Sequence, residues 1–173
     1  MKNRALVVVD MQNDFITGAL GSAEALSIVP GVAEAIRGFD GLVYATMDTH
    51  GEDYRDIVEG SLIPAHCYAN TEGWEMPGEI AAALDERGAQ IVGKGAFGSV
   101  ELMELLGKKR GGFEEIVLCG LCTDICVVSN ALMLRAAFPK ADITVLADCC
   151  AGSSPKLHEE ALDIMRSCCI AVK

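Results

Sequence analysis

The sequence is short of basic residues and has no long hydrophobic segment. Its 173 residues include 14 lysines and arginines against 25 aspartates and glutamates, a formal charge of −11. This excess of acidic residues argues against a nucleic acid or an anionic membrane surface as the partner. No apolar run approaches the ~20 residues that a membrane-spanning helix needs. The segment from Met1 to Asp10 has a short apolar run ending in an acid, and we interpret it as a core strand rather than a secretory signal.

The chain also lacks internal repeats, low-complexity tracts and composition shifts that would mark a linker. Hydrophobic residues make up 51% of it, which is enough for one well-filled core and excludes intrinsic disorder. We therefore expect a single domain that spans residues 1–173.

Eight cysteines are the unusual feature of this composition. They are compatible with a disulfide framework, a metal site, a redox pair or a single nucleophile. A chain of this length and hydrophobicity does not need disulfides, so we expect a reduced, cytoplasmic protein. The tandem pairs Cys149-Cys150 and Cys168-Cys169 lack the spacing of tetrahedral metal sites. We expect most thiols to be small buried side chains and one or two to carry chemistry.

Short apolar runs without alternation predict strands that are buried on both faces, as in a parallel sheet. Six such runs occupy residues 5–10, 42–47, 89–92, 116–120, 143–147 and 170–172. Helical patterns separate them, at residues 30–39 (opened by Pro30), 75–87, 99–109 (capped by Ser99), 123–137 (capped by Thr123 or Asp124) and 154–167. This alternation predicts a three-layer α/β/α fold, doubly wound, around a six-stranded, mainly parallel sheet. The long irregular stretch 48–74 is of the kind that is usually functional.

Three short motifs suggest other functions. Residues 88–94 imitate a phosphate-binding P-loop, but glycine replaces the Ser or Thr that would ligate magnesium, and we reject this interpretation. The G-x-G-x-x-G run from Gly93 to Gly98 resembles a nucleotide-binding loop, although the following strand does not end in the required acid. Cys119 and Cys122 form a C-x-x-C pair. A redox or nucleotide-binding module therefore stays open as an alternative.

Three polar residues follow the ends of predicted strands, where α/β sheets place their functional sites. Asp10 ends the first strand, Lys94 follows the third, and Cys126 lies in the first turn of the helix after the fourth. A helix N-terminus and a nearby ammonium lower the pKa of a thiol, and a carboxylate can accept its proton. The three residues predict a centre for acyl transfer, although each could also be an ordinary capping, surface or core residue.

The irregular stretch holds two of the three histidines. His50 and His66 occur there with Asp48 and Glu59. Imidazole and carboxylate ligands suit zinc, manganese or iron(II) with open positions for water or substrate. The alternative is a polar loop whose acids cap helices.

At this point the motifs resemble the isochorismatase-like cysteine hydrolases, in particular their nicotinamidase branch. The matching segments, in the family's order, are V-V-D-M-Q-N-D-F at 8–15, D-T-H at 48–50, P-A-H-C at 64–67, Lys94, and G-L-C-T-D-I-C-V at 120–127. The resemblance implies the isochorismatase-like fold and hydrolysis of nicotinamide to nicotinate and ammonia through a thioester on Cys126. It implies that Asp10 is the general base and acid, and that Lys94 holds Asp10 and Cys126 charged.

The resemblance also implies the surroundings of the reacting carbonyl. A cis peptide bond is implied between Leu121 and Cys122, with the backbone N–H groups of Cys122 and Cys126 forming an oxyanion hole. One divalent metal ion is implied on Asp48, His50, His66 and Glu59, zinc in most family members with manganese or iron as alternatives, and it would bind the ring nitrogen of the substrate. Family members commonly form homodimers or tetramers, so a homo-oligomer is expected.

One position departs from the nicotinamidase pattern. Ile63 stands where nicotinamidases usually place Trp or Phe before the proline of the P-x-H segment. Phe15 and Phe97 can still supply aromatic walls to the pocket. Another small amide is therefore an alternative substrate, and a relative without activity that serves as an interaction protein is a further alternative.

Overall fold

The computed structural model describes residues 3–173, so Met1 and Lys2 of the predicted domain lie outside the described residues. All six predicted strands are present and form one sheet in which every neighbouring pair is parallel. The strands are β1 (Arg4–Val9), β2 (Leu42–Asp48), β3 (Gln90–Lys94), β4 (Glu115–Leu121), β5 (Asp142–Ala151) and β6 (Ala171–Val172). Their order is β3-β2-β1-β4-β5-β6, which is that of a doubly wound sheet, and the predicted α/β class is confirmed.

Within residues 3–173, seven α-helices connect and cover the strands. They are α1 (Asn13–Ile16), α2 (Ala23–Gly38), α3 (Val58–Leu62), α4 (Gly78–Glu86), α5 (Val100–Gly107), α6 (Val128–Ala137) and α7 (Pro155–Ser167), and a 3-10 helix (Glu52–Asp56) precedes α3. Ser99 and Ser154 cap α5 and α7, because their hydroxyls accept hydrogen bonds from the N–H groups of Leu102 at 3.0 Å and Leu157 at 3.2 Å. Within the part of the chain described, no helix has both the length and the hydrophobicity needed to cross a membrane.

The prediction that Pro30 opens a helix is wrong. Helix α2 begins seven residues earlier, after Ser22, whose hydroxyl accepts a hydrogen bond from the Ala25 N–H at 3.0 Å. The apolar stripe of α2 starts at Ala25 and Ile28, before the proline, and packs into the core. Pro30 lies inside the helix on its exposed side, so burial of that stripe outweighs the hydrogen bond that proline cannot donate.

The predicted side-chain cap by Thr123 or Asp124 is also wrong. The segment after β4 begins as a π-helical turn (Thr123–Val127) that continues into α6, and no side chain caps it. The two candidate caps have other partners. The Asp124 carboxylate accepts hydrogen bonds from Ser153, and the Thr123 hydroxyl lies 2.8 Å from Nδ1 of His158. Asp124 therefore holds this turn against the segment between β5 and α7, and Thr123 holds it against α7.

Strand β1 is the central element of the core. Its residues Ala5 to Val9 have no exposed surface, and β2 and β4 pair with it on either side. The carboxyl ends of β1 to β4 therefore lie side by side. Gly120 near the end of β4 has a φ of +119°, and a Cβ atom there would collide with the backbone of Val9. Only glycine allows β4 to end this close to β1.

Candidate active site and metal centre

Asp10, Lys94 and Cys126 meet at the carboxyl end of the sheet. The Lys94 Nζ lies 2.8 Å from Oδ2 of Asp10 and 3.5 Å from Sγ of Cys126. Asp10 is completely buried, and Lys94 and Cys126 are each 3% exposed. Three residues far apart in sequence thus form one contacting group: Asp10 directly follows β1, Lys94 ends β3, and Cys126 lies in the π turn.

Burial dominates the electrostatics of this group. It raises the pKa of Asp10, and the nearby charge of Lys94 only partly opposes the effect. The Cys126 thiol has a pKa well above its ordinary value because of burial and the negative charge of Asp10, which together outweigh Lys94. Burial lowers the pKa of Lys94, but the nearby Asp10 and Cys126 raise it by more than burial lowers it. The pKa of Lys94 is therefore above its ordinary value, and the lysine stays protonated.

The direction of the Cys126 pKa shift is therefore opposite to the one expected from a helix N-terminus and a nearby ammonium. A thiol inside the protein loses the hydration of its charged form, and one ammonium does not compensate for that loss. The raised pKa favours the protonated thiol at rest, and the implied role of Lys94 in holding Asp10 and Cys126 charged stays a prediction. Transfer of the thiol proton must then accompany the attack of the sulfur on a substrate.

The Asp10 side chain is oriented by its neighbours. Its Oδ1 accepts a hydrogen bond from the Thr46 hydroxyl at 2.6 Å. Its backbone adopts a left-handed conformation (φ 47°), which Asp tolerates better than most residues. Apart from the ion pair with Lys94, Oδ2 has no hydrogen-bond partner among the described residues. This oxygen is available to accept the Cys126 proton.

The second group contains the four residues predicted to hold a metal. Oδ2 of Asp48 lies 3.0 Å from Nε2 of His50 and 3.1 Å from Nε2 of His66. Oε1 of Glu59 lies 3.5 Å and 3.6 Å from the same two nitrogens. One donor atom from each of the four residues lies within 4.8 Å of all the others. Glu59 is thus brought into the group by the turn that starts α3.

The arrangement of His66 fits a metal ion. Its Nδ1 lies 2.8 Å from the Pro64 carbonyl oxygen, which accepts a hydrogen bond from it, so Nε2 is the nitrogen left to bind a metal. Nε2 faces the carboxylate oxygens of Asp48 and Glu59, and Oε1 of Glu59 is buried without a hydrogen-bond partner among the described residues. Two imidazoles with carboxylates suit zinc, manganese or iron(II).

Asp48 connects the two groups. Its Oδ1 lies 3.1 Å from Nζ of Lys94, while its Oδ2 faces the two histidines. Burial raises its pKa, but the hydrogen bond to His66 and the charge of Lys94 outweigh that effect, so the pKa of Asp48 is lowered. Asp48 therefore remains a carboxylate that is shared between the lysine and the candidate metal centre.

A cavity of about 270 Å³ opens beside both groups. All three residues predicted for the pocket, Phe15, Ile63 and Phe97, line it. The reactive groups that reach the cavity include Cys126, Asp48, Glu59 and His66, whereas Asp10, Lys94 and His50 lie behind its wall. Sequence reasoning missed seven other residues that line the cavity, which are Leu20, Gly21, Ser22, Ala25, Ile125, Gly152 and Ser153.

The turn that carries Cys126 has the backbone arrangement expected for it. The peptide bond between Leu121 and Cys122 is cis. Cys122 lines the cavity together with Cys126, and its carbonyl oxygen accepts hydrogen bonds from the N–H groups of Ile125 and Val127 at 3.1 Å and 3.0 Å. Both residues whose N–H groups are predicted to form the oxyanion hole thus line the cavity.

Two buried amides hold the site together, and sequence reasoning missed both. Gln12 binds the backbone of Asp48 from both sides, accepting from its N–H at 2.7 Å and donating to its carbonyl at 2.8 Å. Asn130 accepts from the Ser99 N–H at 3.0 Å and donates to the carbonyls of Phe97 and Cys126 at 3.1 Å and 2.8 Å. Gln12 belongs to the V-V-D-M-Q-N-D-F segment at 8–15, which could have drawn attention to it. Asn130 belongs to none of the matching segments, and the sequence around it does not indicate its contacts.

Tyr54 is a third missed residue, and it packs against the candidate metal centre. Its ring centroid lies 4.3 Å from that of His50 and 5.4 Å from that of His66. Burial raises the pKa of Tyr54 to about 12, so its hydroxyl stays protonated. The hydroxyl lies 3.3 Å from the carbonyl oxygen of Ile63 and holds the segment that precedes His66.

The residues of the two alternative motifs serve this site instead. Lys94 of the G-x-G-x-x-G run is engaged with Asp10 and Asp48, and the backbone of Phe97 and Ser99 is bound by Asn130. Cys119 and Cys122 are free thiols in different surroundings. Burial raises the pKa of both thiols. The next largest contribution comes from Cys150 for Cys119 and from Asp124 for Cys122. These contacts do not favour a nucleotide site or a Cys119–Cys122 redox pair.

Comparison with known proteins agrees with the geometry. The model of the Isochorismatase domain family matches residues 4–173. A nicotinamidase/pyrazinamidase of Mycobacterium tuberculosis is 30% identical, over 95% of each chain. A probable inactive nicotinamidase of Arabidopsis thaliana is also 30% identical, over 91% of this chain and 85% of the relative. The crystal structure of a pyrazinamidase of Pyrococcus horikoshii in complex with zinc superimposes with a TM-score of 0.82 at 32% identity, covering 99% and 98% of the two chains.

Proposed function

Because this chain belongs to the isochorismatase family and is a hydrolase of that family, we propose that it is a metal-containing cysteine amidohydrolase that converts nicotinamide to nicotinate and ammonia. One observation carries the proposal. The Asp10–Lys94–Cys126 group and the four-donor group share Asp48 and lie beside one apolar cavity. The similar nicotinamidase/pyrazinamidase supports a ring carboxamide as the substrate.

The residues of the chain supply nucleophilic and acid–base catalysis. The Cys126 Sγ attacks the carboxamide carbon while Oδ2 of Asp10 accepts its proton. The N–H groups of Cys122 and Cys126 bind the oxyanion, and Asp10 returns the proton to the departing amine, which leaves as ammonia. Asp10 then takes a proton from the water that hydrolyses the thioester. Acid–base catalysis of this kind contributes about 10²–10⁴-fold to a rate.

Lys94 and the candidate metal centre orient the reaction. Lys94 keeps its proton and holds Asp10 beside the sulfur, because its ion pair and its contact with Cys126 use the same Nζ. Asp48, His50, Glu59 and His66 would hold one divalent ion, with zinc preferred over manganese or iron. Such an ion supplies a Lewis-acid site for the ring nitrogen of the substrate.

A second candidate substrate is a different small carboxamide. Ile63 lines the cavity where nicotinamidases usually place an aromatic ring, so the face of the substrate ring packs against an aliphatic side chain here. The cavity wall is mostly apolar and contains two acidic side chains, Asp48 and Glu59. These features favour a neutral amide with an apolar body, of which nicotinamide is one example.

Ammonia release from purified, zinc-loaded protein tests the proposal. We expect turnover of nicotinamide by the wild type and a loss of roughly 10³-fold or more in Cys126→Ala. Cys168→Ala, which removes an exposed thiol, is the matched control and should retain the wild-type rate. Equal rates for wild type and Cys126→Ala would exclude Cys126 as the nucleophile.

A panel of amides identifies the substrate. Pyrazinamide has ring nitrogens and benzamide has none, so a preference for nicotinamide and pyrazinamide over benzamide supports binding through a ring nitrogen. Turnover of another amide, with none of nicotinamide, would favour the second candidate. If no amide is turned over although the protein is folded and holds metal, the chain is an inactive member of the family, as the Arabidopsis relative is described to be.

A further inference from the structure

Thr46 is a polar residue in the buried part of an apolar strand. It lies on β2 between Ala45 and Met47, which are also buried, and its own side chain has no exposed surface. A buried hydroxyl costs free energy unless it makes a hydrogen bond, whereas valine has nearly the same shape and suits a strand without that cost. The partner of the Thr46 hydroxyl therefore indicates what this residue does.

Thr46 binds Asp10 through both its backbone and its side chain. Its carbonyl oxygen accepts a hydrogen bond from the Asp10 N–H at 3.2 Å, and its hydroxyl donates to Oδ1 of Asp10 at 2.6 Å. A separation of about 2.5–2.7 Å is typical of a hydroxyl that donates to an ionised carboxylate. One residue thus fixes the backbone of Asp10 where the chain leaves β1 and also one of its two carboxylate oxygens.

Lys94 alone does not determine which carboxylate oxygen faces the sulfur of Cys126. The last torsion of an aspartate side chain is broad and roughly two-fold, so either oxygen could take the position 2.8 Å from Nζ. The Thr46 hydroxyl removes this equivalence, because it occupies Oδ1. Oδ2 is then the oxygen beside Nζ, which itself lies 3.5 Å from Sγ of Cys126.

The position of Thr46 on β2 makes its hydroxyl a rigid donor. β2 pairs with β1 on one side and with β3 on the other, and Thr46 lies opposite Val9 and Val92 in the two pairings. A β-branched side chain has few rotamers, and a group on a central strand is held more firmly than one on a loop. The hydroxyl can therefore hold the direction of the Asp10 carboxylate.

We propose that Thr46 is a positioning residue for the general base, whose hydroxyl holds Oδ1 of Asp10 so that Oδ2 accepts the Cys126 proton and returns it to the departing amine. The inference rests on the proposed hydrolysis and adds a residue to it. Thr46 does not line the cavity, so it acts through Asp10 and not on the substrate. The transferred proton moves from Sγ to Oδ2 and then to nitrogen, while the Thr46 hydroxyl keeps its own proton.

Two pairs of side chains that differ only in the hydroxyl test this inference. Threonine and valine form one pair at position 46, and serine and alanine form the other. We expect Thr46→Val to lower kcat roughly tenfold from the wild-type value with KM changed less than about twofold, and Thr46→Ala to lower kcat by a similar factor from that of Thr46→Ser. Thr144→Val, the same change at a buried threonine on β5, is the matched control and should retain the wild-type kcat.

Alkylation of Cys126 gives a readout that does not depend on amidase activity. Zinc-loaded protein is treated with iodoacetamide, a small carboxamide, and peptide masses follow Cys126 with the exposed Cys168 as the internal reference. A thiol reacts only after it loses its proton, so we expect the rate at Cys126 to fall roughly tenfold in Thr46→Val while the rate at Cys168 is unchanged. In an Asp10→Asn background, Thr46→Val should cause no further fall, because the hydroxyl acts through the carboxylate.

Three results would overturn the inference. Equal kcat and alkylation rates within both pairs would show that the hydroxyl has no role. Faster alkylation of Cys126 without the hydroxyl would show that the substitution only loosens the site. An equal fall in the Asp10→Asn background would show that Thr46 does not act through Asp10.

The same measurements separate this inference from the proposed function. Circular dichroism and bound zinc are measured for every variant, because Asp48 lies two residues after Thr46, and rates are compared at equal zinc occupancy. If Thr46→Val does not fold, the comparison of Thr46→Ser with Thr46→Ala decides the role of the hydroxyl. A wild type that releases no ammonia would contradict the proposed function alone, because the alkylation rates still confirm or exclude the role of Thr46.

Discussion

Cys169, the second residue after α7, adopts a backbone conformation that glycine usually supplies. Its φ is +61°, and the N–H of the next residue, Ile170, bonds back to the Met165 carbonyl at 3.0 Å. This arrangement ends many helices, with glycine at the left-handed position. A side chain there costs about 1–2 kcal/mol.

We therefore expect Cys169→Gly to stabilise the protein by about 0.5–1 kcal/mol, since relief of the left-handed strain exceeds the extra freedom that glycine gives the unfolded chain. Urea denaturation monitored by circular dichroism measures the change. The adjacent Cys168 has a φ of −92°, so Cys168→Gly should lower stability by a few tenths of a kcal/mol. An increase in stability from both substitutions would contradict the inference that the backbone is strained at Cys169.

The raised pKa of Asp10 determines how activity depends on pH. Only the ionised carboxylate accepts the Cys126 proton, and burial moves its pKa above the ordinary value of 3.8. We expect kcat/KM to fall as the pH drops through this raised pKa, so the loss should begin at a higher pH than an exposed aspartate would give. Ammonia release at saturating metal, with bound metal measured at each pH, checks this. A constant kcat/KM down to the ordinary pKa would contradict it.

The π turn, α6 and the loop before α5 act together through Asn130. Its amide joins the Cys126 carbonyl to the backbone on either side of Gly98, so the nucleophile and the Phe97 wall of the cavity are positioned by one buried side chain. The amide makes three hydrogen bonds, and its two donated bonds go to carbonyl oxygens that a carboxylate would repel.

Asn130→Asp should therefore lower stability by about 1–3 kcal/mol and reduce kcat more than it raises KM, because Cys126 loses its position relative to the substrate carbonyl. Denaturation and steady-state kinetics measure the two effects. Ser129→Ala removes only a hydroxyl that donates to the Ile125 carbonyl and should change stability by less than about 0.5 kcal/mol. Equal losses of stability and of kcat in the two variants would contradict the proposed role of Asn130 in positioning Cys126.

Local pattern was sufficient to predict the strands, one helix cap and the bounds of α7. Continuous apolar runs marked all six strands, Ser99 caps α5 as predicted, and α7 (Pro155–Ser167) fills the predicted range 154–167. Two predictions failed where a tertiary contact outweighs a local preference. Proline is common at the start of a helix, so Pro30 was predicted to open α2. Burial of apolar residues before Pro30 instead makes the helix begin earlier, at Ala23. Asp124 reads as a cap, yet Ser153, 29 residues later in sequence, takes its carboxylate.

The residues of the candidate site also fall into two sets, those that the sequence could predict and those that required the fold. Residues at strand ends and in the long loop could be placed together because the ends of parallel strands meet at one edge of a sheet. The role of Asn130 could not be predicted, since it depends on backbone atoms of Phe97, Ser99 and Cys126 that come near only after folding. The small residues that line the cavity could not be predicted either, because the fold brings them there from distant parts of the sequence. The direction of the Cys126 pKa shift also required the structure, because burial decides it.

Metal binding should stabilise the whole molecule. Four ligands from β2 and the following loop are brought together only in the folded chain, so an ion that binds them favours folding. At a free zinc concentration 100 times the Kd, the gain is about 2.7 kcal/mol, which for a chain of this size raises Tm by about 5–10 °C.

Differential scanning calorimetry with and without zinc measures this shift. His66→Ala should abolish it. His158→Ala should retain it, because His158 is the one histidine outside the group and contacts Thr123 instead. An equal shift in both variants would place the zinc elsewhere.

Assembly into a homodimer or tetramer stays a prediction, as does a cytoplasmic location. Light scattering coupled to size-exclusion chromatography measures the first directly. A mass of one chain, 18.3 kDa, would contradict the expected homo-oligomer.

The central place of β1 has a consequence for synthesis of the protein. β1 leaves the ribosome well before β4, which pairs along one of its two edges and begins only at Glu115. At translation rates of about 5–20 residues per second, the hydrophobic edge of β1 waits roughly 5–20 s for its partner. An unpaired apolar strand is a template for aggregation. The nascent chain must therefore depend on protection of this edge, by a chaperone or by transient contacts of its own, until β4 has emerged.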